Sequence, residues 1–152
     1  MSNTRAVPFE TTLHVRDHCL CLHTQRAARA LARRFDQALR PLDLTIGQFS
    51  ILVALNRPEQ ASMGAVAARL AMDRTTLTAA LKPLERRGIV ASSPSPTDKR
   101  SRFLTLTHTG LELLAQAVPI WQAVQDEVDG LLRSAHDSAG LRHALRFIAE
   151  RE

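Results

Sequence analysis

Residues 62–107 run SMGAVAARLAMDRTTLTAALKPLERRGIVASSPSPTDKRSRFLTLT, and the order of signals within them decides the fold. Ser62 is a good N-cap for a short helix whose apolar residues are Met63, Val66, Ala67 and Leu70, and Asp73 is a second N-cap just beyond its end. Leu77, Leu81 and Leu84 then recur at helical spacing. Gly88, with no Cβ to clash in a left-handed turn, suits the end of that second helix. Two short β-prone runs, 89–93 and 102–106, flank a stretch rich in Pro, Ser and charge from Pro94 to Ser101, which predicts a hairpin. The expected order is helix, tight turn, helix, hairpin.

Upstream, Thr45 can cap a helix with Phe49, Leu52, Val53 and Leu55 as its buried face, before Arg57 and Pro58 break it. From Leu13 to Leu42 the apolar positions Leu20, Ala28, Leu31, Phe35, Ala38 and Leu42 lie opposite Arg26, Arg29, Arg33, Gln37 and Arg40. That division predicts an amphipathic helix of about eight turns ending near Pro41 to Asp43. Residues 1–12 are polar and aperiodic, a loose arm. Downstream, Thr107 and Gly110 open a long helix with Leu111, Leu114, Val118, Trp121, Val124, Val128 and Leu131 on one stripe, and Pro119 is a point at which it can bend. A final helix sets Leu141, Leu145 and Ile148 on one face.

The fold class is therefore mainly α with a small β-hairpin wing: a winged helix-turn-helix at 45–107, joined to a helical dimerisation region at 13–44 and 108–152. The two long stripes exceed what a module of about 60 residues can cover, so they are expected to bury against each other and a second copy. Such a two-fold dimer would read an inverted repeat with half-sites about 34 Å apart.

Composition sets the class of partner. The chain has 152 residues, 45% apolar and 23% charged, as in an ordinary globular core. No apolar run approaches the roughly 18 residues of a membrane span, and the N-terminus lacks a signal-peptide segment, so a cytoplasmic protein is expected. From Arg69 to Arg102 there are eight basic residues against three acidic ones, while the remainder holds twelve of each sign. The whole net charge of +5 thus sits in one segment, the footprint of a surface facing a polyanion, where a merely solvated face would scatter it.

Within that segment, Leu77, Leu81 and Leu84 turn inward and leave Arg74, Thr75, Thr76, Thr78 and Lys82 outward. Arginine can donate two hydrogen bonds to a guanine edge, and threonine suits phosphates and thymine methyls. The hairpin tip carries Asp98, Lys99, Arg100 and Arg102. Three cations on one turn repel each other unless a partner neutralises them, and an arginine on a slender turn can enter a minor groove. Thr45 and Ser62, at the starts of their helices, complete the expected contact set for double-stranded DNA.

These residues resemble the MarR family of winged-helix regulators over roughly residues 13–150. Asp98 to Gly110, with Asp98, Arg100 and Leu106-Thr107-His108-Thr109-Gly110, is similar to the family's D-x-R and L-T-x-x-G pattern, and Leu84-Glu85-Arg86-Arg87-Gly88-Ile89-Val90 to its recognition-helix ending. The resemblance implies that Arg100 reaches the minor groove with Asp98 orienting it, that Arg74 to Lys82 face the major groove, and that the first and last two helices intertwine with a partner chain. It also implies a repressor released by a small aromatic or phenolic effector bound between the dimer helices and the DNA-reading module. Pro83, which removes an amide donor inside the recognition helix, departs from the pattern.

Cys21 is the sharpest alternative signal sensor. It lies 24 residues before Thr45, the spacing at which the hydroperoxide-sensing branch of that family places its reactive cysteine. It is expected toward the Ala28 and Phe35 stripe, with Cys19 on the Arg26 side. That branch activates its thiol with tyrosines; this chain has none, and Gln25 and Phe35 stand at those places. His14, His18 and Cys21 at i, i+4 and i+7 could align as metal ligands, but no carboxylate or fourth ligand joins them, and no cofactor is expected. No nucleophile elbow, P-loop, G-x-G-x-x-G or His-Glu-x-x-His occurs, which argues against an enzyme. A winged-helix adaptor without DNA would have no need of Arg74 and the wing cations.

Overall fold

The computed structural model of the chain describes residues 7–98, 101–133 and 137–151, in two units, 1–34 and 35–152. In the first unit, Pro8, held extended, accepts the Thr11 amide and opens α1 (Phe9–His18), so helix begins inside the expected loose arm. The single helix expected from Leu13 is interrupted at Cys19 (φ −73°, ψ 102°), after which α2 (Leu20–Leu39) starts. The Cys19 Sγ accepts the Leu22 amide at 3.5 Å, in the manner of an N-cap. No residue of α1 is buried, and Leu20 and Leu31, on the stripe expected to bury against the other long helix and a second copy, are exposed in the single chain.

In the second unit, the end of α2 buries Phe35 and Leu39. Pro41 has no N–H to continue the α-helix, and a 3₁₀ turn at Arg40–Leu42 ends on Asp43 in the left-handed region (φ 51°). Helix α3 (Ile46–Leu55) opens with a capping box: Gln48 N–H donates to Thr45 Oγ1 at 3.2 Å and Thr45 N–H to Gln48 Oε1 at 3.0 Å. Ile46 N–H, which that box leaves over, goes to Asp36 Oδ1 at 2.7 Å. Phe49, Ile51, Leu52, Ala54 and Leu55 are buried. Val53, expected among them, falls with Ser50 and Arg57 on the side that α3 leaves open, and is exposed.

Strand β1 (Ala61–Ser62) leads into α4 (Met63–Leu70), capped by Ser62 Oγ on the Ala65 amide, and Ala71 (φ 49°) makes the tight turn. Helix α5 (Arg74–Arg86) passes through Pro83 without a break. Gly88 (φ 67°) stops it: Ile89 N–H returns to Leu84 O and Gly88 N–H to Glu85 O, the paired bonds of a left-handed helix end. Strands β2 (Val90–Pro94) and β3 (Arg102–Leu106) pair antiparallel, from Val90 opposite Leu106 to Pro94 opposite Arg102. The expected hairpin is thus present, and β1 adds unforeseen to the other edge of β3, with Ala61 opposite Leu104.

The Leu-Thr-x-x-Gly run after the wing has a mechanical explanation. Thr107 Oγ1 accepts the Gly110 amide at 3.1 Å, capping α6 (His108–Arg133), and donates to the Gly88 carbonyl. A Cβ on Gly110 would stand 2.2 Å from Ile89 O, so only glycine lets α6 approach the end of α5 so closely. Helix α6 runs unbroken through Pro119. Its buried line is Gly110, Leu114 and Ala117, with Trp121 half-buried; Leu111, Val118 and Leu131 of the expected stripe are exposed. Helix α7 (Ser138–Ala149), capped by Asp137, has no buried residue. The core gathers Leu39 and Leu44 from before residue 45, and Leu114 and Ala117 from beyond 107. The fold class is mainly α with a three-stranded wing.

Candidate nucleic-acid interface

Three buried leucines hold α5 in place. Leu77, Leu81 and Leu84 are at most 2% exposed, which fixes the opposite face of the helix outward. On that face Arg74, Thr75, Thr78, Ala79 and Lys82 line a shallow depression of about 320 Å³. A second, of about 160 Å³, is lined by Met63, Arg74, Thr78, Ser101 and Arg102. Arg74 and Thr78 belong to both, so the outer face of α5 and the base of the wing form one surface. Arg74 reaches back across the start of α4, its Nη2 lying 3.8 Å from where a Gly64 Cβ would stand.

The threonines divide. Thr76 donates its amide to Asp73 Oδ1 at 2.8 Å and its hydroxyl to Oδ2 at 2.7 Å, so it serves the cap. The Thr76 amide, and then its hydroxyl, hold the Asp73 carboxylate below its ordinary range. Thr78 donates to Arg74 O and keeps acceptor capacity, while the Thr75 hydroxyl has no protein partner among the described residues. Ala79, which sequence patterning overlooked because alanine carries no polar signal, puts a methyl group at the centre of this face.

The wing tip is organised by a buried serine that charge patterning did not single out. Ser95 Oγ accepts the Thr97 and Asp98 amides at 3.3 Å each, Ser95 N–H donates to Ser101 O, and Ser101 N–H donates to Asp98 O. Lys99 and Arg100, the sharpest wing expectations, lie outside the described residues. Arg102 is engaged internally, with Nη2 3.5 Å from Glu85 Oε1 and hydrogen-bonded to Ser92 Oγ. Arg87, part of the basic excess, donates to the Leu42 and Asp43 carbonyls and so ties the end of α5 to the 3₁₀ turn. Ser62 stands at the head of α4 beside this surface, whereas Thr45 lines a different depression with Gln48, Pro83 and Arg87.

A further depression of about 410 Å³ has an apolar floor of Phe49, Val53, Leu70 and Trp121 and two cations, Arg57 and Arg69. The Phe49 and Trp121 rings lie near parallel with centroids 6.1 Å apart. The Arg57 guanidinium donates its Nε–H to Ala54 O at 3.0 Å.

In the first unit Cys21 lies in the unbroken α2 on the stripe it shares with Ala28 and is exposed, while Cys19, at the break before α2, is half-buried. Cys21 Sγ accepts from Gln25 Nε2 at 3.3 Å, and Gln25 Oε1 accepts from Arg29 at 3.4 Å. The break at Cys19 disrupts the expected His14, His18, Cys21 row. The two histidine rings stack at 4.2 Å, and no group of three or more His, Cys, Asp and Glu among the described residues could hold a metal. No single described helix is long and apolar enough to cross a membrane.

Comparison with known proteins agrees with this geometry. Residues 44–101 match the MarR family profile. The Mycobacterium tuberculosis transcriptional regulator MosR, solved in complex with DNA, superposes with a TM-score of 0.78 at 37% identity, covering 88% of this chain and 95% of that one. Bordetella bronchiseptica BpsR, whose DNA binding is regulated by 6-hydroxynicotinic acid, superposes at 0.75 with 25% identity over 88% and 94%. The organic hydroperoxide resistance transcriptional regulator of Bacillus subtilis is 30% identical over 101 residues, 66% of this chain and 69% of that protein. All three are regulators rather than enzymes.

Proposed function

The chain belongs to the MarR family and is a DNA-binding transcriptional regulator, and on that premise we propose that it is a cytoplasmic repressor that occupies an inverted-repeat operator as a homodimer and leaves it when a small aromatic effector binds. The observation that carries the proposal is the continuous surface from α5 to the wing, joined through Arg74 and Thr78. In this scheme α5 enters the major groove: Arg74 donates to a guanine edge, Thr75 and Thr78 bond base edges or phosphates, the Ala79 methyl meets a thymine methyl, and Lys82 neutralises phosphate. Arg100 enters the minor groove with Asp98 orienting it, and Lys99 adds to the phosphate contacts. The helix start at Ser62 presents amides to the phosphate backbone, and the Thr45 hydroxyl donates to a phosphate. A second copy would cover the apolar faces of the terminal helices, and the dimer would block polymerase by occupying the operator.

The effector is assigned to the depression between α3, the end of α4 and α6. An aromatic acid would stack on Phe49, Val53 and Trp121 and bring its carboxylate to Arg57 and Arg69. Because Arg69 and Leu70 form the last turn before α5, an anion held there acts next to the recognition helix.

Selection of bound fragments from genomic DNA tests the whole scheme and should recover a palindrome. Against that site, Arg74→Ala should lose roughly 1 to 3 kcal/mol of affinity and relax base preference at one position per half-site. Arg100→Ala should weaken binding at least as much. Unchanged affinity in both variants would overturn the interface.

One observation favours a second reading, thiol-based sensing of an oxidant. Gln25, oriented by Arg29, donates to Cys21 Sγ where a tyrosine was expected to be needed, and Cys21 is accessible. Iodoacetamide labelling against pH decides: a Cys21 that reacts no faster than a model thiol at neutral pH would leave the effector reading alone.

A further inference from the structure

We propose that Glu85 is a positioning residue for sequence recognition, fixing the base of the wing against the recognition helix through Arg102. The inference rests on the DNA interface proposed above and adds to it a residue that makes no contact with DNA in that scheme. Arg102 is the first residue of β3, opposite Pro94 at the end of β2, where the wing leaves the sheet for its tip. Its guanidinium meets Glu85 Oε1 at 3.5 Å and Ser92 Oγ on β2, so one side chain ties both wing strands to the last turn of α5. Through Ser101 and Arg102 the same wing base borders the depression that Arg74 and Thr78 share.

An ion pair whose side chains are 55% and 28% exposed adds little to stability, so its consequence lies in geometry. A duplex fixes the separation of its major and minor grooves, and a protein that presets the matching separation does not lose binding energy to ordering the wing on contact. Electrostatics alone predicts the opposite of this role. Glu85 is one of three acidic residues in the basic segment, and deleting a carboxylate beside a polyanion strengthens binding to every sequence. Positioning makes the same deletion weaken binding to the correct sequence only.

The full chain is titrated with two probes, a duplex carrying the site recovered by selection and poly(dI-dC), at fixed salt. Glu85→Ala should weaken binding to the selected duplex about fivefold while binding to poly(dI-dC) stays equal or tightens, so the specificity ratio falls. Arg102→Ala should lower the same ratio. The exchange of the pair, Glu85→Arg with Arg102→Glu, should restore the ratio to within about twofold of wild type. The isosteric Glu85→Gln, with an unchanged melting temperature, should give an intermediate ratio and exclude a folding defect. If Glu85→Ala tightens both probes equally, or the exchange restores nothing, the positioning role is wrong. A wild-type chain that does not distinguish the two probes would instead overturn the interface itself.

Discussion

Helices α5 and α7 carry apolar stripes of the same kind and differ in what meets them. In α5, Leu77, Leu81 and Leu84 are sealed into the core, and every outward side chain is held by that anchoring. In α7, Leu141, Leu145, Phe147 and Ile148 are 41% to 52% exposed, although Asp137 caps the helix as well as Asp73 caps α5. The difference separates two kinds of information. Amphipathic spacing says that a face will be covered; only the surrounding chain says by what. For α5 the cover is α3, α4 and the sheet, within one molecule, whereas among the described residues none buries the α7 stripe.

The sharpest way to break the contrast is to truncate each stripe. Leu77→Ala should cost about 3 to 4 kcal/mol in urea unfolding, because a fully enclosed leucine leaves a cavity. That loss should be the same at any protein concentration. Next in size, Gly110→Ala should cost about 2 to 3 kcal/mol, since its Cβ meets a backbone carbonyl that cannot rotate away. Leu145→Ala should cost roughly 1 to 2 kcal/mol if a second copy covers α7, and near nothing in an isolated chain. Melting of wild type at increasing protein concentration, with sedimentation of each variant, separates those outcomes: a melting temperature independent of concentration would remove the dimer from the proposal.

These cases also mark what the sequence made legible. Caps and stops were readable because they are local: Thr45, Ser62, Asp73 and Gly88 each act within a few residues of themselves. The α5 leucines and the hairpin were readable from periodicity. What escaped depended on distant partners. Val53 has the composition of a core residue but falls on a side left open among the described residues, and the two-residue β1 is too short to leave a pattern. Arg102 looked like a free wing cation until Glu85, 17 residues earlier, came within reach, and Arg87 found its acceptors 44 and 45 residues back. Charge counting marked the basic segment but could not separate its exposed cations from those used by the fold. The interruption at Cys19 left no sign in the apolar spacing.

The smallest expected effect tests whether the start of the recognition helix is held by charge or by shape. Asp73 receives the Thr76 amide and hydroxyl, and these bonds hold its carboxylate below the ordinary value of 3.8. A pKa depressed by folding contributes stability that is fully present above the unfolded value and is lost as pH falls through the folded one. Asparagine caps a helix nearly as well but does not titrate in this range. Asp73→Asn should therefore lower the urea midpoint slightly at pH 7, where wild type has its full carboxylate contribution, and the gap should close as pH drops below 3.8. Other acidic groups titrate in both proteins and cancel in the difference. A gap that persists unchanged at pH 3 would mean that the cap acts through shape and hydrogen-bond geometry alone, as the uncharged Ser62 cap does for α4.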